Sequence, residues 1–427
     1  MAHTLTPKDV HVLIDAMAAQ MQGQGSLSSI NTSDFVSAGE TMLAAGLENT
    51  LNAFSMVIGR TFAAVRPYKA KGSILDAINT GAYTDRFRKI SFYSRLTQPS
   101  GDWNTQLFTN LYGGYDNGQN PNAGGTPQST KSMWEQNPAI PLELNFSGRS
   151  VWEDSTTVYK YQWKNAFRSE EEFARIAGGI MTEKGNDIEM QKEAFNRLAM
   201  LNLIAGTYDM NTASGGTRVV NLTAAYNSRF GTNYTSAQLR STYLRSFLEF
   251  MVATIKQYSD RLERRSVHYH WYPAKTDAAG NNVHLLRHTP KSSQKLALYG
   301  PLFKEAEAMV MPEIFNPRYL SLDNYESFDY WQYFDDNGTT SPSINVTPAI
   351  PNTSNPATQT AGSAVSLDYV VGILFDRDAC MVDYQLDDAE VTPIEARKRY
   401  YNMWWSFAKN IICDFTENSV IFTMEDA

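Results

Sequence analysis

Near its C-terminal end, at residues 371–386, the chain reads VGILFDRDACMVDYQL, and two further apolar runs follow this stretch. These are YYNMWW at 400–405 and FTENSVIFTM at 415–424. Chain ends are usually polar and poorly ordered, whereas these runs are rich in the β-branched and aromatic residues that favour strands. We therefore predict four strands, in DYVVGILFD, ACMVDYQL, RYYNMWWSFAKNIICDF and SVIFTM, and we expect this end of the chain to be built into a central sheet.

Two consecutive tryptophans in the third of these strands give a specific expectation. Successive residues of a strand point to opposite sides of its sheet. One of Trp404 and Trp405 should therefore pack on a helix, and the other should lie nearer a subunit boundary or the outer surface. Phe407 should share the side of Trp405.

The composition of the whole chain bounds its size class and its partners. A chain of 427 residues is too long for one compact core and indicates two or three subdomains. Charged residues make up only 19%, so part of the surface is neutral and polar, as in broad contacts between protein subunits. The net charge of −8 argues against a dedicated nucleic-acid binder, which would carry a basic field.

The cysteines and the N-terminal region indicate the compartment. Cys380 and Cys413 lie in apolar, strand-like sequence without CxxC spacing, so we interpret both as reduced and buried. The N-terminal stretch has charges within its apolar part and no signal-peptide core. No segment approaches the roughly 20 apolar residues that a membrane span needs. We therefore expect no membrane association and folding in a cytoplasm.

The first half of the chain divides into helices and a long polar excursion. Helical periodicity over the first sixty residues predicts two helices that need a partner surface, the second carrying Leu43 to Ile58 on one face. FRKISFYSRL and SVWEDSTTVYKYQWKNAF predict strands, and between them residues 111–141 are dense in Gly, Asn and Pro. We predict a projecting hairpin that something outside the monomer must hold.

The middle of the chain begins with the clearest helix. Ser169 and Glu172 form a capping box at its start, and the glycines at 178–179 and 185 indicate a kink or a break. Thr235 and Gln238 predict the cap of a second helix that carries Leu239 through Tyr258. Further along, we predict strands in SVHYHWYPA and VHLLRHT and a helix in SSQKLALYGPLFKEAEAMV. For residues 338–364 we predict a loop or an extended edge.

Four histidines are the strongest chemical candidates. His268 and His270 would point to the same side of a strand, which is a spacing that metal pairs use, and His284 and His288 follow shortly. No carboxylate or cysteine pattern completes a site, however, and aromatic-rich strands often carry histidine as a packing residue. We predict that the histidines are structural and keep the metal site as an alternative.

The remaining motifs have structural explanations. DDNG at 335–338 lacks the ligand spacing of a calcium loop and reads as a turn, and DRLERR at 260–265 reads as a solvated helix end. YGGYDNG contains glycines, but neither the lysine nor the following helix of a phosphate-binding loop accompanies them. We expect RKR at 397–399 to face either solvent or an acidic neighbour. There is no G-x-S-x-G motif. We therefore predict no catalytic residues, no cofactor and no metal, and thus no enzyme.

The order of the segments resembles the major capsid proteins of tailed double-stranded DNA phages, whose fold is shared with herpesvirus shells. The resemblance is closest to the capsid proteins of short-tailed phages. It rests on VGILFDRDACMVDYQL, the aromatic strand YYNMWW and the final FTENSVIFTM. KNAFRSEEEFARIAGGIM at 164–181 is similar to the start of that family's long spine helix.

This resemblance implies an α+β tailed-phage capsid fold with a defined division of the chain. The implied segments are an N-terminal helical arm at 1–85, an extended hairpin loop at 86–166 lying across the adjacent subunit, the spine helix of the peripheral domain at 167–206, an axial domain at 207–365, and C-terminal strands at 366–427 returning to the peripheral domain.

The resemblance also implies a function. The chain would self-assemble into pentamers and hexamers of an icosahedral capsid, made in the host cytoplasm and enclosing double-stranded DNA without binding it specifically. Expected partners are a portal, a decoration protein and a separate scaffolding protein, since too few residues precede the hairpin to form a built-in scaffold. Three alternatives stay open: an encapsulin-like nanocompartment shell, a tail or fibre protein, and a metalloenzyme using His268 and His270.

Overall fold

A computed structural model describes most of the chain. The described residues are 7–23, 25, 35–62, 74–78, 86–94, 138–147, 150–162, 170–211, 216–276, 282–309, 325–332 and 342–426. The helices are α1 Pro7–Gly23, α2 Phe35–Ala44, α3 Leu47–Phe62, α4 Glu170–Asp209, α5 Leu222–Phe230, α6 Ser236–Leu239, α7 Leu244–Leu262 and α8 Gly300–Met309.

The strands are short in the middle of the chain and long near its end. In chain order they are β1 Asp76–Ile78, β2 Arg86–Phe92, β3 Pro141–Ser147, β4 Ser150–Tyr159, β5 Val219–Asn221, β6 Lys275–Thr276, β7 Asn282–Val283, β8 Gln294–Tyr299, β9 Tyr325–Phe328, β10 Ile344–Val346, β11 Ala349–Pro351, β12 Gln359–Ala361, β13 Val365–Leu367, β14 Val370–Asp376, β15 Cys380–Val391, β16 Tyr400–Cys413 and β17 Ser419–Thr423.

All four strands predicted at the C-terminal end are present, and they divide between two sheets. β15 and β16 form the middle of a four-stranded sheet in the order β1-β15-β16-β4. β14 and β17 lie inside a five-stranded sheet in the order β5-β17-β14-β8-β9. Gly372 allows β14 to approach β8, because a Cβ there would lie 2.4 Å from the carbonyl oxygen of Ala297. The end of the chain therefore joins both sheets.

The long helix α4 is continuous, so of the kink or break predicted at its glycines, the break is absent. It runs for 40 residues through Gly178, Gly179 and Gly185. A glycine inside a helix costs about 1 kcal/mol relative to alanine, and tertiary packing at both ends of α4 offsets that cost. The first half contributes Phe173 to one apolar cluster, and the second half contributes Phe195 to another. Ser169 of the predicted capping box lies outside the described residues.

The N-terminal helices pack on the four-stranded sheet and on the first half of α4. The predicted second helix is two helices, α2 and α3, separated at Gly46, whose φ of 118° suits glycine. Buried side chains of α1, α2 and α3 form one cluster with Phe173, Tyr401, Met403 and Trp405. This contact explains why the narrow apolar faces of these helices needed a partner.

The five-stranded sheet packs with α5, α7 and the second half of α4, and two predictions fail in this region. Residues 294–299 form a strand where the sequence predicted helix, because all six residues are buried and such a run has no period-2 alternation. The capping box of Thr235 and Gln238 is confirmed, but it begins only the short helix α6. The chain turns at 240–243 before α7 begins.

Two further segments complete the body. SVHYHWYPA was predicted as a strand, but its residues 267–270 form bends and Ser266 makes only an isolated bridge with Arg287. The segment predicted as loop or extended edge contains the short strands β10, β11 and β12. β11 pairs with β12, and β10 pairs with β13, which directly follows the segment. Among the helices that the structure describes, none combines the length and apolar character needed to span a membrane.

Candidate functional site

A hairpin formed by β2 and β3 packs one side of its strand pair on the body. The two strands pair antiparallel from Arg86 opposite Ser147 to Phe92 opposite Pro141. Side chains on the inward side, Leu142, Leu144 and Phe146, form a small cluster with Val283, Leu285 and Ile412. The predicted polar segment between the strands, 111–141, lies outside the described residues except at 138–141.

A charged cluster fixes the hairpin to the body, and we call Lys89, Arg287, Asp414 and Glu417 the hairpin anchor. Lys89 of β2 donates to Asp414 and, at 2.6 Å, to Glu417. Arg287 Nε lies 3.3 Å from Glu417 Oε1, and its Nη2 donates to Ser91 Oγ at 2.7 Å. The anchor therefore joins β2 to the connection between β16 and β17.

The turn after β16 positions the two carboxylates of the anchor. Asp414 Oδ1 accepts from Thr416 Oγ1 at 2.6 Å and from the Thr416 amide at 2.9 Å, which closes the turn. Asp414 Oδ2 is thereby left to face Lys89. Sequence analysis missed this cluster, because Lys89 and Asp414 are separated by 325 residues and neither belongs to a recognisable motif.

The electrostatics of the anchor favour its charged state at Lys89. Burial alone would lower the pKa of Lys89, but Asp414 and Glu417 outweigh that effect, so its pKa is raised. Burial raises the pKa of Glu417 more than Lys89 and Arg287 lower it. Lys89 thus stays protonated in the fold, while Glu417 takes up a proton at a higher pH than an ordinary glutamate does.

The outward side of the hairpin carries two large apolar side chains that the described part of the chain leaves uncovered. Ile90 is 49% exposed and Phe92 is 59% exposed, on the side of β2 opposite to Lys89. Arg88 on the same side donates to Glu143 at 2.7 Å across the strand pair. We call Arg88, Ile90 and Phe92 the outward hairpin face.

The two sides of the four-stranded sheet differ around the paired tryptophans, as predicted. Helices cover the side of Trp405, whereas the side of Trp404 is exposed there and becomes buried only further along β16, where Ile412 packs against the hairpin. Trp405 is 1% exposed, packs in the cluster of α1, α2, α3 and α4, and donates from Nε1 to the Ser55 carbonyl at 3.3 Å. Trp404 is 40% exposed on the other side. Phe407 is half-buried against the same cluster as Trp405, on the side where it was expected.

Further large side chains lie on the same side of the sheet as Trp404. Tyr400 pairs with Tyr159 and Ala408 with Val151 in the register between β16 and β4, which places these residues on the side of Trp404. Val151 and Tyr159 are exposed. We call Val151, Tyr159, Tyr400 and Trp404 the outer sheet face. β4 is the edge strand of this sheet, so its free edge adjoins the same surface.

The predicted histidine cluster has the contacts of packing residues. His270 is buried, with Nε2 2.7 Å from the Leu285 carbonyl and Nδ1 3.3 Å from Asn418 Oδ1. Burial lowers the pKa of His270 to about 3, so the ring is neutral. His284 Nδ1 lies 2.8 Å from the Tyr272 hydroxyl. Within the described ranges, no three His, Cys, Asp or Glu side chains converge as a metal site requires.

The other sequence motifs fall on surfaces. Arg261, Glu263, Arg264 and Arg265 of the 260–265 segment are exposed where α7 ends, as predicted for a solvated helix end. Residues 397–399 are exposed in the turn before β16. DDNG at 335–338 and YGGYDNG at 112–118 lie outside the described residues.

Comparison with known proteins identifies a match that covers most of the chain. A model of the family described as Phi29-like phage major capsid protein matches residues 153–423. No curated protein sequence matches the chain.

Solved phage structures are similar in fold. A chain in the capsid structure of Staphylococcus phage Andhra has a TM-score of 0.51 and 10% identity, covering 84% of this chain and 85% of that one. A chain in the structure of the head fiber and inner core protein gp22 of native bacteriophage P68 has a TM-score of 0.46 and 10% identity, with 84% and 86% covered. At these identities the likeness concerns the fold alone.

Proposed function

The chain belongs to the Phi29-like phage major capsid protein family, and from this premise we propose that its copies form the pentamers and hexamers of an icosahedral capsid. Membership of the family makes it a shell-forming structural protein of the virion, and not an enzyme.

The outward hairpin face is the observation that carries the proposal. Ile90 and Phe92 are large apolar side chains that the described part of their own chain leaves uncovered, on the side of the hairpin that faces away from the body. Exposed apolar surface of this kind marks contacts between proteins. In a closed shell of identical subunits, the partner is another copy. We infer that the hairpin lies across the adjacent copy.

The outer sheet face is the second proposed contact. Trp404 and Tyr159 are exposed aromatic residues, and tryptophan and tyrosine contribute disproportionately to protein interfaces. Among the described strands, the outer edge of β4 beside them has no partner, and monomeric proteins normally protect the unpaired backbone groups of such an edge. A boundary between subunits along this side of the sheet would cover both features.

The domain division implied by the resemblance is part of the proposal. The arm would be 1–85, the extended hairpin loop 86–166, the spine helix 167–206, the axial domain 207–365 and the returning strands 366–427. The pairing of β14 with β8 and of β17 with β5 favours one refinement, in which β14 and β17 complete the axial sheet while β15 and β16 stay peripheral.

The contents and partners of the shell follow from the same proposal. Assembly would take place in the host cytoplasm around double-stranded DNA, and the net charge of −8 suits a wall that does not bind the packaged genome. A portal, a separate scaffolding protein and a decoration protein are proposed partners. The family match gives no support to a nanocompartment shell or to a metalloenzyme.

Substitution at Phe92 tests the proposal. Phe92→Ser should leave the melting temperature of the monomer unchanged, because the side chain is exposed, but should reduce the yield of closed particles in electron micrographs severely. Phe92→Leu keeps an apolar side chain and should retain particles, which controls for changes in strand pairing. Normal particles from Phe92→Ser combined with Ile90→Ser would refute the proposed contact.

A further inference from the structure

Two thiols lie face to face in the four-stranded sheet. Cys380 is the first residue of β15 and Cys413 is the last of β16, and the register places them directly opposite each other. Both are buried and free, and their sulfur atoms are 3.8 Å apart. Neither cysteine belongs to the outward hairpin face or to the outer sheet face, the two proposed contacts between copies.

The backbone geometry at this pair suits a covalent link. The Asp414 amide donates to the Ala379 carbonyl at 2.8 Å, just outside the pair, so Cys380 and Cys413 occupy a non-hydrogen-bonded position. At such positions the two Cα atoms are about 4.5 Å apart and their side chains meet closely. Disulfides join Cα atoms at about 4.4–6.8 Å. Side-chain rotation alone can therefore bring the sulfurs together.

We propose that Cys380 and Cys413 form a redox modification site, a dithiol in the newly folded chain that becomes an intrachain disulfide when the chain meets a peroxide oxidant. One thiolate attacks hydrogen peroxide, which breaks the O–O bond, forms a sulfenic acid and releases hydroxide. The second thiol then attacks that sulfur, the S–O bond breaks, and water leaves as the S–S bond forms. Two thiols and one peroxide thus give one disulfide and two waters.

The site is built to remain reduced until it is opened. The neighbouring Cys413 and burial raise the pKa of the Cys380 thiol well above its usual range, so the reactive thiolate is scarce in the closed fold. Oxidation should therefore proceed slowly, through local opening of the strand ends. This agrees with a chain that folds as a dithiol and is modified afterwards.

The position of the pair gives the disulfide a mechanical consequence. Cys380 follows β14 after only the short turn Arg377–Ala379, and Cys413 directly precedes Asp414 of the hairpin anchor. A link here would tie β15 to β16 at the end of the four-stranded sheet. From this end the chain runs back to β14 on one side and on to β17 on the other, so the link would also restrain the backbone next to Asp414, which holds Lys89. The disulfide would therefore stiffen the part of the four-stranded sheet that adjoins the hairpin anchor.

The test uses the full chain, purified under reducing conditions and then treated with hydrogen peroxide. Intact mass should fall by about 2 Da as two hydrogens are lost. Peptide mapping should find the Cys380 and Cys413 peptides linked within one chain. Because the closed loop spans 33 residues in sequence, the melting temperature should rise by roughly 5 °C and return on reduction.

Single-cysteine variants complete the test. Cys380→Ser and Cys413→Ser should show no rise in melting temperature after peroxide treatment, and the peptide map of the unaltered chain supplies a readout that does not depend on how well they fold. Three results would overturn the proposal: two thiols that survive excess peroxide, sulfinic acid without a disulfide, or a disulfide between chains.

Discussion

Trp404 and Trp405 are neighbours in sequence with opposite environments, which makes them a matched pair for mutation. Trp405→Ala removes a buried indole and its hydrogen bond to the Ser55 carbonyl, and should cost about 3–5 kcal/mol of unfolding free energy. Trp404→Ala should cost less than about 1 kcal/mol in the monomer and should reduce particle yield. Urea denaturation of the monomer, measured separately from particle counts, distinguishes the two effects. Equal and mild effects of both variants on both measurements would contradict this assignment.

Lys409 offers a test that depends on pH. Its Nζ lies in a buried position 4.2 Å from the centre of the Trp152 ring, and burial, assisted by Lys192, lowers its pKa to about 8. Because the folded pKa lies below the unfolded value, the folded state releases this proton first, and stability rises as pH increases from about 8 towards 10.5.

The variant Lys409→Met isolates that contribution. At pH 7 it should be more stable than the parent chain by roughly 1–3 kcal/mol, because it removes a buried charge. The advantage should shrink as the pH approaches 10. Unfolding free energies at three pH values check this, and an advantage that grows with pH would show that the sign is wrong.

The sequence could predict alternation at individual residues but not the identity of the covered side. The pattern of β16 placed Trp404 and Trp405 on opposite sides. The helices α1, α2 and α3, which lie more than three hundred residues earlier in the chain, determine which of the two tryptophans is buried. The same limit applies to His270, whose partners Leu285 and Asn418 lie on separate segments.

At the scale of elements, the hairpin anchor makes a prediction about local stability. Lys89→Met leaves Asp414 and Glu417 without their lysine in a largely buried site, and breaking a buried ion pair typically costs about 3–5 kcal/mol. Hydrogen exchange should accelerate at amides of β2 and β3, with a smaller change in β14 and β17.

Arg88 provides the matched control for this variant. It lies beside Lys89 on the same strand, but its ion pair with Glu143 is exposed to solvent. Exposed pairs contribute little, so Arg88→Met should leave hydrogen exchange in the hairpin nearly unchanged. If the two variants behave alike, the anchor does not hold the hairpin.

The sequence predicted helices and strands correctly where the hydrophobic periodicity was strong. It predicted them wrongly where burial on both sides removed that periodicity. The C-terminal strands were predicted correctly, as was the helical character of the N-terminal region, although its second helix is divided into α2 and α3. β8 was taken for a helix, because a strand buried on both sides shows no alternation. The break expected in α4 is absent, since packing at both of its ends outweighs the preference of its glycines.

At the scale of the whole molecule, the polar hairpin segment should matter only for assembly. Residues 113–138 are rich in Gly, Asn and Pro and offer little to an intramolecular core. Deleting them should leave a folded monomer with an unchanged far-UV circular dichroism spectrum, while stable particles should be lost. An unfolded or aggregated product would mean that the segment belongs to the core.

The order of the predicted segments along the sequence, namely arm, hairpin, long helix and returning strands, was enough to recognise the class of fold by its resemblance to tailed-phage capsid proteins. The pairing of those segments was not available from the sequence. β14 and β15 are joined by a three-residue turn and enter different sheets, which only long-range contacts decide.

A cryo-electron microscopy reconstruction of particles assembled from this chain tests most directly whether the outward hairpin face of one copy is buried against another copy. The reconstruction should show a closed icosahedral shell in which Ile90 and Phe92 of each copy are buried against a neighbouring copy. Particles in which these two side chains face solvent in every copy would contradict it.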